Sequence, residues 1–101
     1  MKLNTQQIKV LRKLGHVLSP VVTVAERGLT ETVVAAIEEA LEIHELIKVK
    51  VRHDRERRIA LYEEICQKTG ALEVQKIGMI LLIYRPSKKS KIALPGAKPK
   101  G

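Results

Sequence analysis

Apolar and basic side chains alternate along residues 46–52. The apolar positions are Ile47, Val49 and Val51. The basic positions are Lys48, Lys50 and Arg52. Because successive side chains of a strand point to opposite faces of a sheet, this segment is predicted to be a strand with one buried and one basic face. Neighbouring basic positions would lie about 6.6 Å apart, a spacing that suits consecutive phosphates.

Three other segments repeat apolar residues at helical spacing. The first begins after Asn4, the second is predicted over residues 31–44, and the third over residues 55–69. The residues expected to begin or end these helices are Asn4, Gly15, Thr30, Asp54 and Gly70. Gln7 adds capping-box spacing to Asn4. These signals give each helix a defined start and stop.

The same spacing predicts the buried sides of the second and third helices. His44 falls on the buried side of the second helix, and Ile59 and Cys66 fall on that of the third. The opposite side of the second helix is acidic and carries Glu31, Glu38, Glu39 and Glu42. Such a face is expected to be solvated and to point away from any nucleic acid.

The remaining predicted strands are residues 21–24, 72–77 and 79–85. The run from Met79 to Tyr84 is apolar on both faces, which is typical of a covered central strand. The order of elements is therefore αβαβαββ, an α/β (α+β) fold with a mixed sheet and helices packed against it. The domain is expected to span residues 1–86, followed by a basic, flexible tail over residues 87–101.

The formal net charge of +8 is unevenly distributed. Residues 1–25 contain four basic residues and no acid, and residues 74–101 contain seven and no acid. All 11 acids lie in residues 26–73, beside eight basic residues. A polarised surface of this kind steers a protein towards a polyanion, although lysines also serve simply to keep a small protein soluble. With only two aromatic residues, the chain lacks the rings that stacked single-strand recognition needs.

The connection after the first predicted strand indicates a phosphate site. Its residues are Ala25, Glu26, Arg27, Gly28, Leu29 and Thr30. Gly28 can adopt the positive φ of a tight turn, and Thr30 is a favourable N-cap. Free amides at a helix N-terminus beside the Arg27 guanidinium can hold a phosphate. An ordinary strand–helix connection that contains a glycine would have the same sequence pattern.

Other classes of function find little support. His16, His44 and His53 lack partners at metal-ligand spacing, and the chain has no P-loop or dinucleotide motif. Cys66 is the single cysteine and cannot form an internal disulfide. No segment resembles a signal peptide or is long enough to span a bilayer. The sequence thus predicts a cytoplasmic, non-catalytic protein without cofactor, metal, membrane contact or small-molecule substrate; a His-dependent ribonuclease is an alternative.

Several short segments resemble one family, in matching order. They are residues 16–20, 28–31, 44–50, 54–56, 69–70 and 84–86, which read HVLSP, GLTE, HELIKVK, DRE, TG and YRP. Over about residues 3–95 the chain is similar to the CRM domain (chloroplast RNA splicing and ribosome maturation), in particular its stand-alone bacterial YhbY-like members. The resemblance implies a four-stranded mixed sheet akin to the C-terminal domain of translation initiation factor three. It also implies RNA binding and association with precursors of the large ribosomal subunit.

The family carries a GxxG loop between its first strand and second helix, and uses it for RNA contact. Residues 25–28 correspond to this loop. Gly28 matches the second glycine, but Ala25 replaces the first, and Glu26 adds a negative charge that Arg27 can offset. Alanine costs little at negative φ and hinders close backbone approach at positive φ.

The resulting hypothesis is a monomeric RNA-binding ribosome assembly factor whose partner is structured rRNA. Its predicted RNA contacts are the loop residues 25–30 and the alternating cations Lys48, Lys50 and Arg52. A wider electrostatic footprint is predicted from Lys9, Arg12, Lys13, His16, Arg85, Lys88 and Lys89. A protein-binding adaptor that uses the acidic helix face is a second alternative.

Overall fold

A computed structural model of the protein describes residues 2–88 and 91–95. Within them the helices are α1 (Thr5–Gly15), α2 (Glu31–His44) and α3 (Arg55–Thr69). The strands are β1 (Pro20–Val24), β2 (Leu46–Val51), β3 (Leu72–Ile77) and β4 (Ile80–Tyr84). The predicted αβαβαββ order is confirmed, and the observed ends of the elements differ from the predicted ones by one residue at most.

The four strands form one mixed sheet in the order β1-β2-β4-β3. β1 and β2 are parallel, with Thr23 opposite Lys50 and Val24 opposite Val51. β4 pairs antiparallel with both β2 and β3. The apolar run predicted as a covered central strand is β4, and this prediction is confirmed. Because β1 and β2 run in the same direction, the loop after β1 and the end of β2 lie at the same end of the sheet.

Helices cover both faces of the sheet. On one face α2 and α3 pack over the larger core, in which Val24, Ile37 and Ile83 are fully buried. On the other face α1 packs over a smaller core built around Leu11 and Leu82. The two cores draw on alternate residues of the same strands, as the pleat of a sheet requires.

β2 shows the predicted alternation of its side chains. Ile47, Val49 and Val51 are buried in the larger core. Lys48 and Lys50 occupy the intervening positions, on the α1 face, and are half-buried. The strand ends at Val51, one residue earlier than predicted, because the chain turns towards α3 at that point.

The helix caps follow the sequence signals. The Asn4 side chain accepts a hydrogen bond from the Gln7 amide at 2.8 Å, and the Gln7 side chain accepts one from the Asn4 amide at 3.0 Å. Thr30 and Asp54 cap α2 and α3 in the predicted way. The capping box satisfies two amides that the first turn of a helix leaves without intrahelical partners.

Two residues that helical spacing predicts as buried are exposed, so these predictions are wrong. His44 lies in the last turn of α2 and lines an apolar groove with Leu14 and Leu18. Ile59 is 46% exposed on α3. Helical spacing gives the direction of a side chain but not how far the underlying sheet extends, and the sheet does not cover these positions.

Gly15 is the last residue of α1, as predicted, but it does not act as a left-handed helix stop. It does not have the positive φ of a glycine helix stop. Instead it is buried against β4, where a Cβ atom at this position would lie 2.6 Å from Leu82 Cδ2 and 2.8 Å from Leu82 Cδ1. The missing side chain therefore lets the last turn of α1 approach the sheet closely.

Glu45 connects α2 and β2 and is fully buried. Its φ of 63° lies in the left-handed region. Its carboxylate accepts backbone hydrogen bonds from Ser87 at 2.5 Å, Lys91 at 2.6 Å and Ile92 at 2.9 Å. Burial by itself raises the pKa of the Glu45 carboxyl, but these hydrogen bonds to the charged form lower it, and its net pKa lies below the ordinary value of 4.5.

Described residues beyond 86 continue to pack on the domain. Leu94 is buried in the smaller core, and the Gln7 side chain donates to the Pro95 carbonyl at 3.1 Å. The sequence assigned residues 87–101 to a flexible tail, whereas residues 87–88 and 91–95 are placed against the domain. Residues 89–90 and 96–101 lie outside the described residues.

Replacing Gly15 with Ala is expected to destabilise the fold by about 1–3 kcal/mol, because the buried Leu82 side chain must move to admit the new methyl group. The clash outweighs the gain in helix propensity, which is about 1 kcal/mol. Urea unfolding measures the change. Adding Leu82→Val should restore part of the stability lost by Gly15→Ala, and a double variant less stable than the sum of both single changes would contradict the packing explanation.

Replacing Glu45 with Gln is expected to cost about 3 kcal/mol near neutral pH, since it weakens hydrogen bonds to a buried charge. A carboxyl whose pKa is lowered on folding stabilises the protein above its unfolded pKa, and this contribution is lost as the pH falls through the folded pKa. Urea unfolding at neutral and at acidic pH should therefore show the difference between the wild type and Glu45→Gln shrink in acid. The exposed control Glu63→Gln should change little, and an equal Glu45→Gln difference at both pH values would refute this role.

Candidate nucleic-acid interface

The loop after β1 is a tight turn closed by Gly28. The Gly28 amide donates to the Ala25 carbonyl at 2.9 Å, and the φ of Gly28 is +69°. Two residues later Thr30 is the N-cap of α2, and its hydroxyl accepts a hydrogen bond from the Val33 amide at 3.2 Å. The turn, the positive φ and the N-cap are confirmed as the sequence predicts them. The loop therefore connects β1 directly to the N-terminus of α2.

The carbonyl of Ala25 holds this loop to the rest of the protein. It accepts from the Gly28 amide and also lies 2.7 Å from His53 Nε2. A carbonyl oxygen can only accept, so the His53 ring nitrogen is the donor. Ala25 itself lies outside the left-handed region. Alanine at position 25 is therefore free of backbone strain. Of the two cases that the sequence left open, the φ at which alanine costs little is the one observed.

Arg27 and Arg52 line one cleft together with the loop. This cleft has a volume of about 550 Å³, and we call it the loop cleft; its walls are Thr23, Ala25, Glu26, Arg27, Gly28, Thr30, Val33 and Arg52. The Arg52 amide donates to the Val24 carbonyl at 2.9 Å, which fixes the end of β2 beside the loop. The parallel strand pair thus brings together two cations that lie 25 positions apart in the chain.

Gly28 is one of the predicted RNA contacts, but its amide is not available to hold a phosphate. Gly28 is buried and its amide is already bonded to Ala25, so it is not a free donor. The amides without intrahelical partners at this point are those of the first two helical positions, Glu31 and Thr32. A guanidinium nitrogen of Arg57 would lie 3.4 Å from a Cβ atom at Gly28. Arg57 is therefore a cation beside the loop that the sequence analysis missed.

Lys48 and Lys50 lie on the α1 face of the sheet and lead towards the loop cleft. Lys50 pairs across the sheet with Thr23 on one side and Ile80 on the other. Lys48 lines a shallow depression with the exposed His16. These predicted contacts therefore follow β2 from the end of α1 to the loop.

The cations of α1 form a separate exposed group, Lys9, Arg12 and Lys13. In its hydrogen-bonding orientation, the Gln75 amide oxygen accepts from Arg12 Nε at 3.0 Å and from Arg12 Nη2 at 2.9 Å. Arg12 is thus held over β3, on the same face of the sheet as Lys48. All three residues remain open to solvent beside the strip along β2.

Arg85 lies at the other end of the sheet and is bonded to acids. Its guanidinium contacts Glu38 Oε2 at 2.7 Å and Glu42 Oε1 at 3.1 Å, and it donates to the Thr69 carbonyl at 2.7 Å. Its side chain is only 19% exposed. The structure thus does not bring Arg85 to the predicted interface, because β4 runs antiparallel to β2 and carries its last residues away from the loop.

Two further predicted contacts follow Arg85 in the chain. Lys88 is exposed near the same end of the sheet, and Lys89 lies outside the described residues. The acidic face of α2 is not uniformly solvated either, since two of its four predicted acids bind Arg85. One side of α2 therefore has a structural role that its sequence pattern did not reveal.

Other chemistry is sparse in the part of the chain that the structure describes. There, no group of three His, Cys, Asp or Glu side chains is placed to hold a metal ion. Burial, and to a lesser extent the nearby Glu73 carboxylate, raise the pKa of the Cys66 thiol to about 11. The thiol is therefore protonated at neutral pH and a weak nucleophile. None of the helices in residues 2–88 and 91–95 combines the length and apolarity that crossing a bilayer requires.

Comparison with known proteins agrees with this architecture. The family model of the CRS1/YhbY (CRM) domain matches residues 3–85. A Haemophilus influenzae protein named RNA-binding protein is 51% identical over 94 residues, which cover 92% of this chain and 95% of the relative. A probable RNA-binding protein of Pseudomonas aeruginosa is 47% identical over 90 residues, with 88% and 86% of the two chains covered.

The fold also matches a solved structure. The solution structure of a hypothetical Staphylococcus aureus protein, proposed to bind RNA, superimposes with a TM-score of 0.80 at 34% sequence identity. The match covers 93% of this chain and 100% of the Staphylococcus aureus chain. Together the family match, the close relatives and the shared fold show that this chain belongs to the CRS1/YhbY (CRM) domain family.

Proposed function

We propose that this protein is a non-catalytic RNA-binding protein that associates with rRNA in precursors of the large ribosomal subunit and assists their assembly. It acts as a monomer in the cytoplasm. The relatives that match most of its length are named as RNA-binding proteins, which supports RNA as the partner. The role in assembly of the large subunit rests on the family resemblance.

The observation that carries the proposal is the loop cleft. Arg27 and Arg52 line it from two different elements, and Arg57 adds a third guanidinium beside Gly28. The open amides of the α2 N-terminus face the same end of the sheet. Backbone amides and guanidinium groups are the donors that phosphate oxygens accept from most readily. A site of this composition binds the RNA backbone and leaves the bases largely unread.

Structured RNA suits this surface better than a defined single-stranded sequence. Tyr62 and Tyr84 are the two aromatic residues, and both are buried. The protein therefore has no exposed aromatic ring on which a base could stack. Recognition through charge and backbone donors depends on the shape of the RNA and on the positions of its phosphates.

The two alternative functions receive less support from the structure. An adaptor that uses the acidic face of α2 would have to share Glu38 and Glu42 with Arg85. Reversing the charges of Glu31 and Glu39 should abolish association with ribosomal particles if the adaptor function is correct. A ribonuclease built on His53 would have to release the Ala25 carbonyl, and cleavage of labelled rRNA that is lost in His16→Ala would favour an enzyme.

The affinity for rRNA is expected to fall steeply with salt concentration, because bound cations release counterions from the phosphates. Arg27→Ala and Lys50→Ala should each reduce the slope of log affinity against log salt by about 1. Filter binding or fluorescence anisotropy over a salt series measures this slope. Lys68→Ala is the matched control, since Lys68 is exposed in the last turn of α3. A flat salt dependence of the wild type would overturn the proposal.

Ala25→Gly is expected to leave the affinity for rRNA within about twofold of the wild-type value. Alanine adopts the backbone conformation at position 25 without strain, so glycine brings no relief. The carbonyl of residue 25 is held by His53 and Gly28 in either variant. The same anisotropy titration tests this. A large gain in affinity would show instead that the methyl group of Ala25 obstructs the approach of RNA.

A further inference from the structure

A second basic cleft lies on the α3 side of the sheet. Arg55 and Arg58 line it from α3, and Lys76 lines it from β3. The cleft has a volume of about 400 Å³, and we call it the α3 cleft. Its floor is held in place by the Tyr62 hydroxyl, which donates to the Gly78 carbonyl at 2.8 Å. The cations of this cleft therefore stand on two rigid elements that are tied together.

The α3 cleft and the strip along β2 are on opposite faces of the sheet. Lys76 pairs with Leu81, whose side chain is buried in the core beneath α2 and α3. Lys50 pairs with Ile80, one position away on β4, and so points to the α1 face. Within the first turn of α3, Arg57 lies beside Gly28, while Arg55 and Arg58 line the α3 cleft. The loop cleft thus lies between two basic surfaces that face different directions.

The charges in the α3 cleft are available to an anion. Among the described residues, no acid is placed within ion-pair distance of Arg55 or Arg58. Lys76 Nζ lies 3.7 Å from Glu73 Oε1, but both side chains are more than 40% exposed, at 45% and 44%. Exposed ion pairs of this kind contribute little, so Lys76 can exchange its partner for a phosphate. Arg58 also donates to the His53 carbonyl at 3.0 Å, which orients its guanidinium.

We propose that the α3 cleft binds the phosphate backbone of a second RNA strand when the loop cleft binds the first. This assignment rests on the proposed RNA-binding function and narrows its target to double-stranded RNA. One strand that follows β2 on the α1 face has to turn around the end of the sheet to reach Lys76. Two strands on either side of a helical groove reach both surfaces without such a turn. Double-stranded RNA is recognised in this way, by shape and by phosphate contacts across its grooves.

The test compares a short blunt RNA duplex with one of its strands alone. The variant combines Arg55→Gln with Lys76→Gln, which removes one cation from each wall of the α3 cleft and leaves the Arg58 hydrogen bond to His53 intact. The slope of log affinity against log salt for the duplex should fall by about 2, because two phosphate contacts are lost. The slope for the single strand should stay at the wild-type value. Arg55→Gln alone should give about half of the duplex effect.

The control is Lys2→Gln combined with Lys68→Gln, which removes the same charge from two exposed positions outside these surfaces. Circular dichroism and thermal melting establish that each variant is folded. A duplex slope unchanged in Arg55→Gln/Lys76→Gln but reduced in Arg27→Ala would overturn the second-strand site and leave the proposed function standing. An equal reduction of the slope for the duplex and for the single strand would show that one strand contacts both clefts, and would also overturn the second-strand site. Wild-type binding without salt dependence would remove the proposed function, and the second site with it.

Discussion

The parallel pairing of β1 with β2 is the constraint on which the candidate interface depends. It places the turn after β1 and the end of β2 at one end of the sheet, so Arg27 and Arg52 line one cleft. An antiparallel pair would carry the two cations to opposite ends of a strand about 17–20 Å long. The helix between the two strands, α2, also brings its N-terminal amides to this end. Ligand sites outside the carboxyl ends of parallel strands are a general property of such βαβ units.

The positive charges of the chain serve different physical purposes. Arg52 stands open at the loop cleft, whereas Arg85 is mostly buried and ties α2 to the end of β4 through Glu38 and Glu42. Arg58 has both roles, because its guanidinium donates to the His53 carbonyl while lining the α3 cleft. The net charge describes the long-range attraction to a polyanion, but it does not say which basic side chains are free to contact the polyanion. The surface potential at the interface therefore depends on which of the 19 basic residues stand open to solvent there, and not on the net charge of +8 alone.

Hydrogen bonds between side chains and backbone groups fix the loops at the two ends of the sheet. At the loop end, the Ala25 carbonyl joins the turn to His53, which follows β2. At the other end, the buried Glu45 carboxylate gathers the amides of Ser87, Lys91 and Ile92. The hydrogen bonds to the Glu45 carboxylate satisfy a buried charge that would otherwise cost free energy, whereas the bond between Ala25 and His53 lies at the surface. The Glu45 hydrogen bonds also explain why Ser87, Lys91 and Ile92 pack on the domain, since their amides reach the carboxylate only when this segment folds back.

Local patterns in the sequence determined the elements, their caps, the alternation of β2 and the positive φ of Gly28, because each depends on residues only a few positions apart. The same patterns placed His44 and Ile59 inside, since a period gives a direction but not the extent of the sheet beneath. The bonding of Arg85, the burial of Glu45, the close approach at Gly15 and the contribution of Arg57 to the loop were decided by the tertiary structure alone. In each of these cases the partners are far apart in the chain, and only the folded arrangement fixes their distance.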